Sequence, residues 1–157
     1  MTATKVIGES VKQTNRTFIK SYVNDYADAI TENYRRYHIN TLNGNLHGNY
    51  PEYAREQLDA IENGTANLMK FKVYTGKRYY KIVQQEFETW EKSRNYVKYA
   101  DGSVHCFVDK ETGDVYKPAS LSAPAKHIRF SFQNEADIKF LLNPDNVDWA
   151  SGYLYIR

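Results

Sequence analysis

The stretch that decides the fold is Asn95–Phe132, NYVKYADGSVHCFVDKETGDVYKPASLSAPAKHIRFSF. Its β-branched and aromatic residues alternate with polar ones, which is typical of strands with one buried face. Two short segments, Ala100–Ser103 and Lys110–Gly113, place a glycine late, where a hairpin turn needs a left-handed residue. They predict strands at 95–99, 104–109 and 114–117. Consecutive antiparallel strands joined in this way form a meander, in which each strand pairs with the one before it.

Further strands extend this meander on both sides. They are predicted at 69–74, 78–87, 128–132 and 153–157, each from a period of two or a run of β-branched and aromatic residues. An irregular crossing at Pro118–Pro124 separates the strands predicted at 114–117 and 128–132. A short helix is expected after Asn134, which is a favoured N-cap residue.

The N-terminal third is predicted to be helical, because apolar residues recur there at three- and four-residue spacings. The members of this stripe are Ile19, Tyr22, Val23, Tyr26, Ile30, Tyr34 and Tyr37. They predict a helix over 17–40, preceded by a loose polar arm and followed by a loop at 43–49. A second helix is expected to begin at Pro51 and to end at Asn63–Gly64.

Together these elements predict a single α+β domain over residues 1–157. An N-terminal helical hairpin packs on a twisted, mainly antiparallel β-sheet meander, with a short C-terminal helix and a final strand. The Tyr and Ile stripe of the first helix is expected to cover one face of the sheet. The other face is expected to expose Lys, Tyr and His to solvent.

The composition indicates a compartment and a surface chemistry. The chain has 14 Tyr, a residue that packs in half-buried sheets and also forms binding surfaces. Its one cysteine, Cys106, cannot form an internal disulfide. No signal peptide and no run of about 20 apolar residues is visible. We therefore expect a protein of the cytoplasm of the cell that makes it, without contact to a membrane.

Familiar catalytic signatures are missing from the sequence. It lacks a Gly-rich phosphate loop and a Gly-x-Ser-x-Gly elbow, and its four His and one Cys are too scattered to predict a metal site. His105 and Cys106 are neighbours on a predicted strand, so they are expected to face opposite sides, Cys106 inward and His105 outward beside Phe107 and Asp109. A turn role is predicted for Asp101, Asp109 and Asp114. No catalytic residue, cofactor or metal is predicted.

Two basic clusters are the candidate binding sites. Residues 69–99 carry eight Lys and Arg against three acids, whereas both flanks are slightly acidic. A ligand or anion cradle is predicted at Lys117, Lys126, His127 and Arg129, with Tyr116 beside them. A nucleic-acid or partner face is predicted at Lys70, Lys72, Tyr74, Lys77, Arg78 and Lys81. Cations among rings supply charge for phosphates and stacking surfaces for bases, but a Lys-rich face that merely discourages aggregation gives the same pattern.

Four segments resemble small uncharacterised proteins of tailed bacteriophages. They read SVHCFVD at Ser103–Asp109, TGDVYKPAS at Thr112–Ser120, APAK at Ala123–Lys126 and DWASGYLYI at Asp148–Ile156. The resemblance extends over about residues 79–157. It implies a phage origin, and it implies no activity and no site residues.

Three functional hypotheses follow. The first is a non-enzymatic phage accessory protein that binds a host or virion protein, or a nucleic acid, through the basic, tyrosine-rich sheet face. The second is a protein that binds, sequesters or hydrolyses a nucleotide or another phosphate ligand. The third is a structural virion subunit, in which the tyrosines of the long helix form an interface in a homo-oligomer.

Overall fold

The computed structural model describes the backbone of residues 2–91 and 96–155, and the side chains of residues 16–87 and 99–155. The elements are α1 (Thr2–Leu46), α2 (Pro51–Glu62), β1 (Lys70–Thr75), β2 (Tyr79–Glu91), β3 (Tyr96–Asp109), β4 (Asp114–Pro118), β5 (Pro124–Ser131) and α3 (Glu135–Leu141), followed by a 3-10 turn at Gly152–Leu154. The predicted α+β class is confirmed.

The first helix is longer than predicted at both ends. It begins at Thr2, so the prediction of a loose N-terminal arm was wrong. No proline precedes Pro51 to break the helix, and Gly8, near its N-terminal end, costs a helix only about 1 kcal/mol relative to alanine. At the other end α1 continues through Asn40 to Leu46, because the side chain of Leu42 is buried. Only residues 47–49 of the predicted loop form a turn.

The second helix follows the prediction. α2 begins at Pro51, whose fixed φ suits the first helical position and which has no N–H to leave unpaired. It ends at Glu62, where the Asn63 N–H donates to the Asp59 carbonyl at 2.9 Å. Gly64 then adopts a φ of 74°, the left-handed conformation expected after a helix. The two helices contact each other as the predicted hairpin.

The sheet is an antiparallel meander, as predicted, but it has five strands, in the order β1-β2-β3-β4-β5, where seven were predicted. The turn between β3 and β4 also follows the prediction, with Gly113 at a φ of 75°. Asp109 stabilises this turn, because its carboxylate accepts from the N–H groups of Glu111 at 2.8 Å and Thr112 at 3.0 Å. The next strand, β5, begins at Pro124 and not at Ile128, which shortens the predicted crossing to a hairpin loop.

The hairpin predicted at Ala100–Ser103 was wrong, since β3 runs through these residues without a break. Asp101 lies opposite Gln85 on β2, and the register is irregular between Val83 and Gln85. A glycine within a strand often marks such a bulge. The Asp101 carboxylate accepts from two side chains and caps no turn.

The prediction for the C-terminal segment was correct for the helix and wrong for the final strand. α3 starts after Asn134, whose side-chain oxygen accepts from the Asp137 N–H at 3.1 Å, as predicted. The predicted final strand is instead a 3-10 turn at Gly152–Leu154, and its last two residues lie outside the described range. The turn forms because Leu154 is fully buried, and because Arg129 Nε donates to its carbonyl at 2.6 Å.

One hydrophobic cluster joins α1, the sheet, α3 and the C-terminal turn. The members from α1 include Ile19, Val23, Tyr26 and Ile30. Their partners on the sheet include Phe71, Tyr80, Ile82, Cys106, Val108 and Val115. We call the face covered by α1 the inner face and the opposite one the outer face. The predicted coverage by the Tyr and Ile stripe is therefore observed, and the outer face is where a partner has access.

Candidate functional site

His105 and Cys106 lie on the same side of β3, contrary to the prediction. Cys106 is opposite Ile82 and Val104 is opposite Val83, so two steps along β3 match one step along β2. Such a bulge interrupts the alternation of side chains. His105 is 3% exposed, contacts Tyr26 and Phe71 on the inner side, and does not face solvent. The placement of His105 beside Phe107 on an exposed face was therefore wrong.

A buried chain of hydrogen bonds follows from this bulge. His105 Nε2 lies 2.7 Å from the Tyr153 hydroxyl, which lies 2.5 Å from the Tyr26 hydroxyl. The Cys106 thiol contacts Tyr26. Burial raises the pKa of Cys106 to about 12 and lowers the pKa of His105 to about 3. A neutral thiol beside a neutral imidazole supplies no thiolate nucleophile, so we interpret the chain as structural.

His105 makes the stability of the fold sensitive to acid. The unfolded imidazole takes up a proton near pH 6.5, whereas the folded one does so only near its lowered pKa of about 3. The stabilising contribution of the neutral His105 imidazole to the free energy of unfolding is therefore complete above pH 6.5. It is lost as the pH falls toward 3. Between about pH 7.5 and about pH 5, we expect His105 to lower the free energy of unfolding by about 2 kcal/mol.

Urea unfolding of the His105→Gln variant at several pH values checks this effect. The variant is expected to be less stable near neutral pH and to lose most of the slope between pH 7.5 and pH 5. His127→Gln, a substitution of an exposed histidine, is the matched control and should keep the wild-type slope. An unchanged slope in His105→Gln would contradict the assignment.

The outer face carries a groove of about 580 Å³. Val83, Val104 and Phe107 form its apolar floor. The β1–β2 turn, with Lys77 and Arg78, lies on one side, and the β4–β5 loop, with Leu121 and Ser122, lies on the other. Phe107 is only 3% exposed although it lies on the face without a helix. The outer face therefore has a depression with an apolar floor that is large enough for a small ligand.

Cations surround this groove. Lys77, Arg78 and Lys81 line it, and Lys81 Nζ donates to the Leu121 carbonyl at 3.1 Å, which joins the β4–β5 loop to the sheet. Lys72 lies opposite Val83 on the same face. A second basin shares Lys77 and Arg78 with the groove, and its other lining residues are Arg16, Asp109, Lys110, Glu111 and Thr112. Two cations of this basin pair with its acids, Arg16 with Glu111 at 2.8 Å and Arg78 with Asp109 at 3.5 Å, so the basin is less positive than the groove.

Tyrosine rings alternate with these cations. Lys70 Nζ lies 4.2 Å from the ring centre of Tyr99, and Lys72 Nζ lies 4.8 Å from that of Tyr74. The guanidinium carbon of Arg78 lies 5.1 Å from the ring centre of Tyr79. The predicted partner face is thus assembled on one side of the sheet, with Tyr74, Lys77, Arg78 and Lys81 at the groove and Lys70 and Lys72 along β1.

Asp101 is the one acid among the residues that line the groove. Its Oδ1 accepts from the Tyr74 hydroxyl and from Gln85 Nε2, both at 2.8 Å, and its Oδ2 lies 2.9 Å from the same hydroxyl. These hydrogen bonds, that from Gln85 first, lower the pKa of Asp101. The carboxylate is therefore ionised and held in one orientation at neutral pH.

The five residues of the predicted anion cradle lie outside the groove. Lys117 lies over the Tyr155 ring, 4.1 Å from its centre. Arg129 donates to the carbonyls of Leu154 at 2.6 Å and His127 at 2.7 Å. Lys126 and His127 are exposed on the edge strand. Tyr116 contacts the Tyr79 ring edge-on. The groove is lined by none of the five, so they remain a separate candidate.

Sequence reasoning missed the floor of the groove. Val83, Val104, Phe107 and Leu121 were not among the candidate site residues. Apolar residues at alternate positions on a face that no helix covers were the available signal. The bulge at His105 hid this signal, because strict alternation with the inward Cys106 would turn Val104 inward, whereas the bulge places it on the outer face.

Among the residues that the structure describes, no group of three or more His, Cys, Asp or Glu side chains is placed to hold a metal ion. No helix within that range combines the length and the apolar character required to cross a membrane.

A family model described as a family of unknown function, DUF7717, matches residues 5–156. The chain belongs to this family. No curated protein and no solved structure matches it. The match supports the part of the resemblance that places the chain among uncharacterised proteins. The phage origin stays a prediction.

Proposed function

We propose that this protein is a non-enzymatic accessory protein that binds a single-stranded nucleic acid across the outer face of its sheet. The observation that carries the proposal is the apolar groove of Val83, Val104 and Phe107 with Lys77 and Arg78 at its rim. Proteins that bind single strands combine a positive groove for the backbone with surfaces on which bases stack.

The charges favour an anionic partner. Lys72, Lys77, Arg78 and Lys81 lie at or beside the groove. The one acid among the residues that line the groove, Asp101, is ionised, and the three cations Lys77, Arg78 and Lys81 outnumber it there. A surface of this sign attracts polyanions and increases their association rate.

The rings favour a nucleic acid over an acidic polypeptide. Every nucleotide of a single strand carries one phosphate and one flat ring, and the outer face carries three pairs of a cation and a tyrosine ring, Lys70–Tyr99, Lys72–Tyr74 and Arg78–Tyr79. An acidic polypeptide matches the charge but offers no regular ring for the apolar floor. A duplex hides its bases in stacked pairs, so it presents only phosphates to this face.

Fluorescence anisotropy with a labelled dT oligonucleotide of about 12 residues tests the proposal. If about four cations contact phosphates, log K should fall with log salt concentration at a slope of about −3. A duplex of equal length and polyglutamate of equal charge should both bind more weakly. Binding that ignores salt, or polyglutamate that binds as tightly as the oligonucleotide, would overturn the proposal.

A mononucleotide is the second candidate ligand, because the groove volume of about 580 Å³ suits a small molecule. A mononucleotide at 100 times its dissociation constant should stabilise the protein by about 2.7 kcal/mol. If it binds as tightly as the oligonucleotide, the protein sequesters a small ligand. The virion-subunit hypothesis loses its specific support, because Tyr26 is buried in the core and Tyr22 and Tyr34 pack against it.

The phage context is part of the proposal. It is supported by the resemblance of residues 103–126 and 148–156 to tailed-phage proteins. An accessory protein of this kind would act in the infected bacterial cell.

A further inference from the structure

The two edge strands of the sheet, β1 and β5, differ in how their outward backbone groups are occupied. At the β5 edge, Asp137 Oδ2 on α3 accepts from the Ser131 N–H at 2.9 Å. Arg129 Nη1 donates to the His127 carbonyl at 2.7 Å. Side chains of the protein itself thus occupy part of this edge. A strand edge without such partners can pair with another chain, so the state of the β1 edge decides whether the sheet can be extended.

The register of β1 fixes which of its residues direct their backbone groups outward. The Gly76 N–H donates to the Tyr79 carbonyl at 2.9 Å, and the same register continues along β1 and β2. Residues that bond to the neighbouring strand alternate with residues that do not in an antiparallel pair. Phe71, Val73 and Thr75 therefore direct their N–H and C=O groups away from β2.

The helix α1 closes only one end of this edge. The Phe71 N–H donates to Thr31 Oγ1 on α1 at 3.2 Å, which agrees with its outward direction. Among the described residues, none donates to or accepts from the outward backbone groups of Val73 and Thr75. Val73 is half-buried against the core, and Thr75 is exposed. The half of β1 from Val73 to Thr75 is therefore an open edge with N–H donors and C=O acceptors.

The side chains around this open edge are basic. Lys70 and Lys72 are exposed on the outer face of β1, and Lys77 is exposed in the turn that follows. If two copies of the chain paired through β1, both sets of lysines would gather along one seam, where their charges repel. An acidic strand has the complementary charge, so the lysines oppose a second copy and favour an acidic partner.

We propose that the β1 edge is a docking site for an extended acidic peptide segment of a partner protein, which adds to the sheet as a further strand. Such a strand bonds to the outward N–H and C=O groups of Val73 and Thr75. Its residue opposite Val73 shares the inner face and is apolar, because directly opposite residues lie on one face. Its neighbours lie on the outer face, where a carboxylate reaches Lys72. This site uses the edge of the sheet and does not rest on the proposed nucleic-acid binding.

The test uses the blocked peptide acetyl-Glu-Val-Glu-Val-Glu-amide, in which acids and β-branched residues alternate. The same peptide with both valines N-methylated is the matched control, since it keeps the charges and loses the N–H groups that pair with β1. Nuclear magnetic resonance titration follows binding and the exchange of backbone amides. The first peptide should slow exchange at Val73 and Thr75. The methylated peptide should bind at least about tenfold more weakly, because it lacks two hydrogen bonds.

Two variants test the same contact from the side of the protein. Val73→Pro removes the N–H donor at a place where proline is tolerated, because the N–H of this edge residue does not bond to β2. Val73→Thr keeps the N–H and the β-branched shape and is the matched control. Val73→Pro should bind the first peptide at least about tenfold more weakly than Val73→Thr. Urea unfolding checks that both variants are folded.

Three results would overturn the proposal. If the methylated peptide binds as tightly as the first, charge alone attracts the peptide and no strand is added. Equal binding by Val73→Pro and Val73→Thr would place the peptide elsewhere. If the protein sediments as a dimer and the Val73 amide is protected without peptide, the edge is occupied by a second copy. Because the methylated peptide is tested on the wild type, the decision does not depend on the stability of Val73→Pro.

Discussion

Tyr153→Phe is expected to destabilise the fold by about 3 kcal/mol, because two buried polar groups each lose a partner at a cost of about 1–3 kcal/mol. The Tyr153 hydroxyl is the centre of the buried chain, 2.7 Å from His105 Nε2 and 2.5 Å from the Tyr26 hydroxyl. Phenylalanine keeps the ring contacts with Phe130 and Phe140. The loss therefore reports on the hydrogen bonds and not on packing.

Equilibrium urea unfolding measures this change, with Tyr155→Phe as the matched control. Tyr155 is two residues away and 54% exposed, and its ring keeps its place over Lys117 after the substitution. The control should change the free energy of unfolding by less than about 0.5 kcal/mol. If the two variants lose equal stability, the buried chain does not hold the C-terminal turn in place.

Replacing Lys72, Lys77 and Lys81 together by glutamine is expected to weaken single-strand binding about 100-fold. Each lost phosphate contact should remove roughly 1 kcal/mol and reduce the slope of log K against log salt by about 0.7. All three lysines belong to the outer face or its turn. Glutamine keeps most of the apolar stem. Because Lys81→Gln also removes the ammonium that donates to the Leu121 carbonyl, the Lys72→Gln, Lys77→Gln double variant separates lost phosphate contacts from a displaced β4–β5 loop.

A second triple variant provides the control for charge alone. Lys20 on α1, Lys126 on β5 and Lys139 on α3 are exposed and lie away from the groove. Their replacement by glutamine removes the same net charge and should weaken binding less than about threefold. If this variant loses as much affinity as the first, the groove is not the site, and Lys126 on the edge strand becomes the next candidate.

The elements that the sequence predicts well are those with a local physical signal. The α1 stripe, the exit of α2 at Asn63–Gly64 and the turn before β4 each depend on periodicity or on a glycine with a left-handed φ. The Asp101–Gly102 pair has the same local signal as a turn. It lies inside β3 because pairing with β2 on both sides of it outweighs that preference.

The candidate site was predictable in its charge but not in its shape. The net charge of residues 69–99 and the alternation of Lys70, Lys72 and Tyr74 indicate the basic face from the sequence. The groove depends on Leu121 in a hairpin loop that reaches Lys81, 40 residues away in the chain. No local pattern encodes this contact. The bulge at His105, which places Val104 on the outer face and His105 on the inner one, arises from register and is equally non-local.

The most direct test of the central claim, that the outer face holds a nucleic acid strand, is lysine acetylation footprinting by mass spectrometry with and without a dT oligonucleotide. We predict that the oligonucleotide protects Lys72, Lys77 and Lys81 and leaves Lys20, Lys126 and Lys139 as reactive as before. Uniform protection, or protection centred on Lys126, would contradict the account.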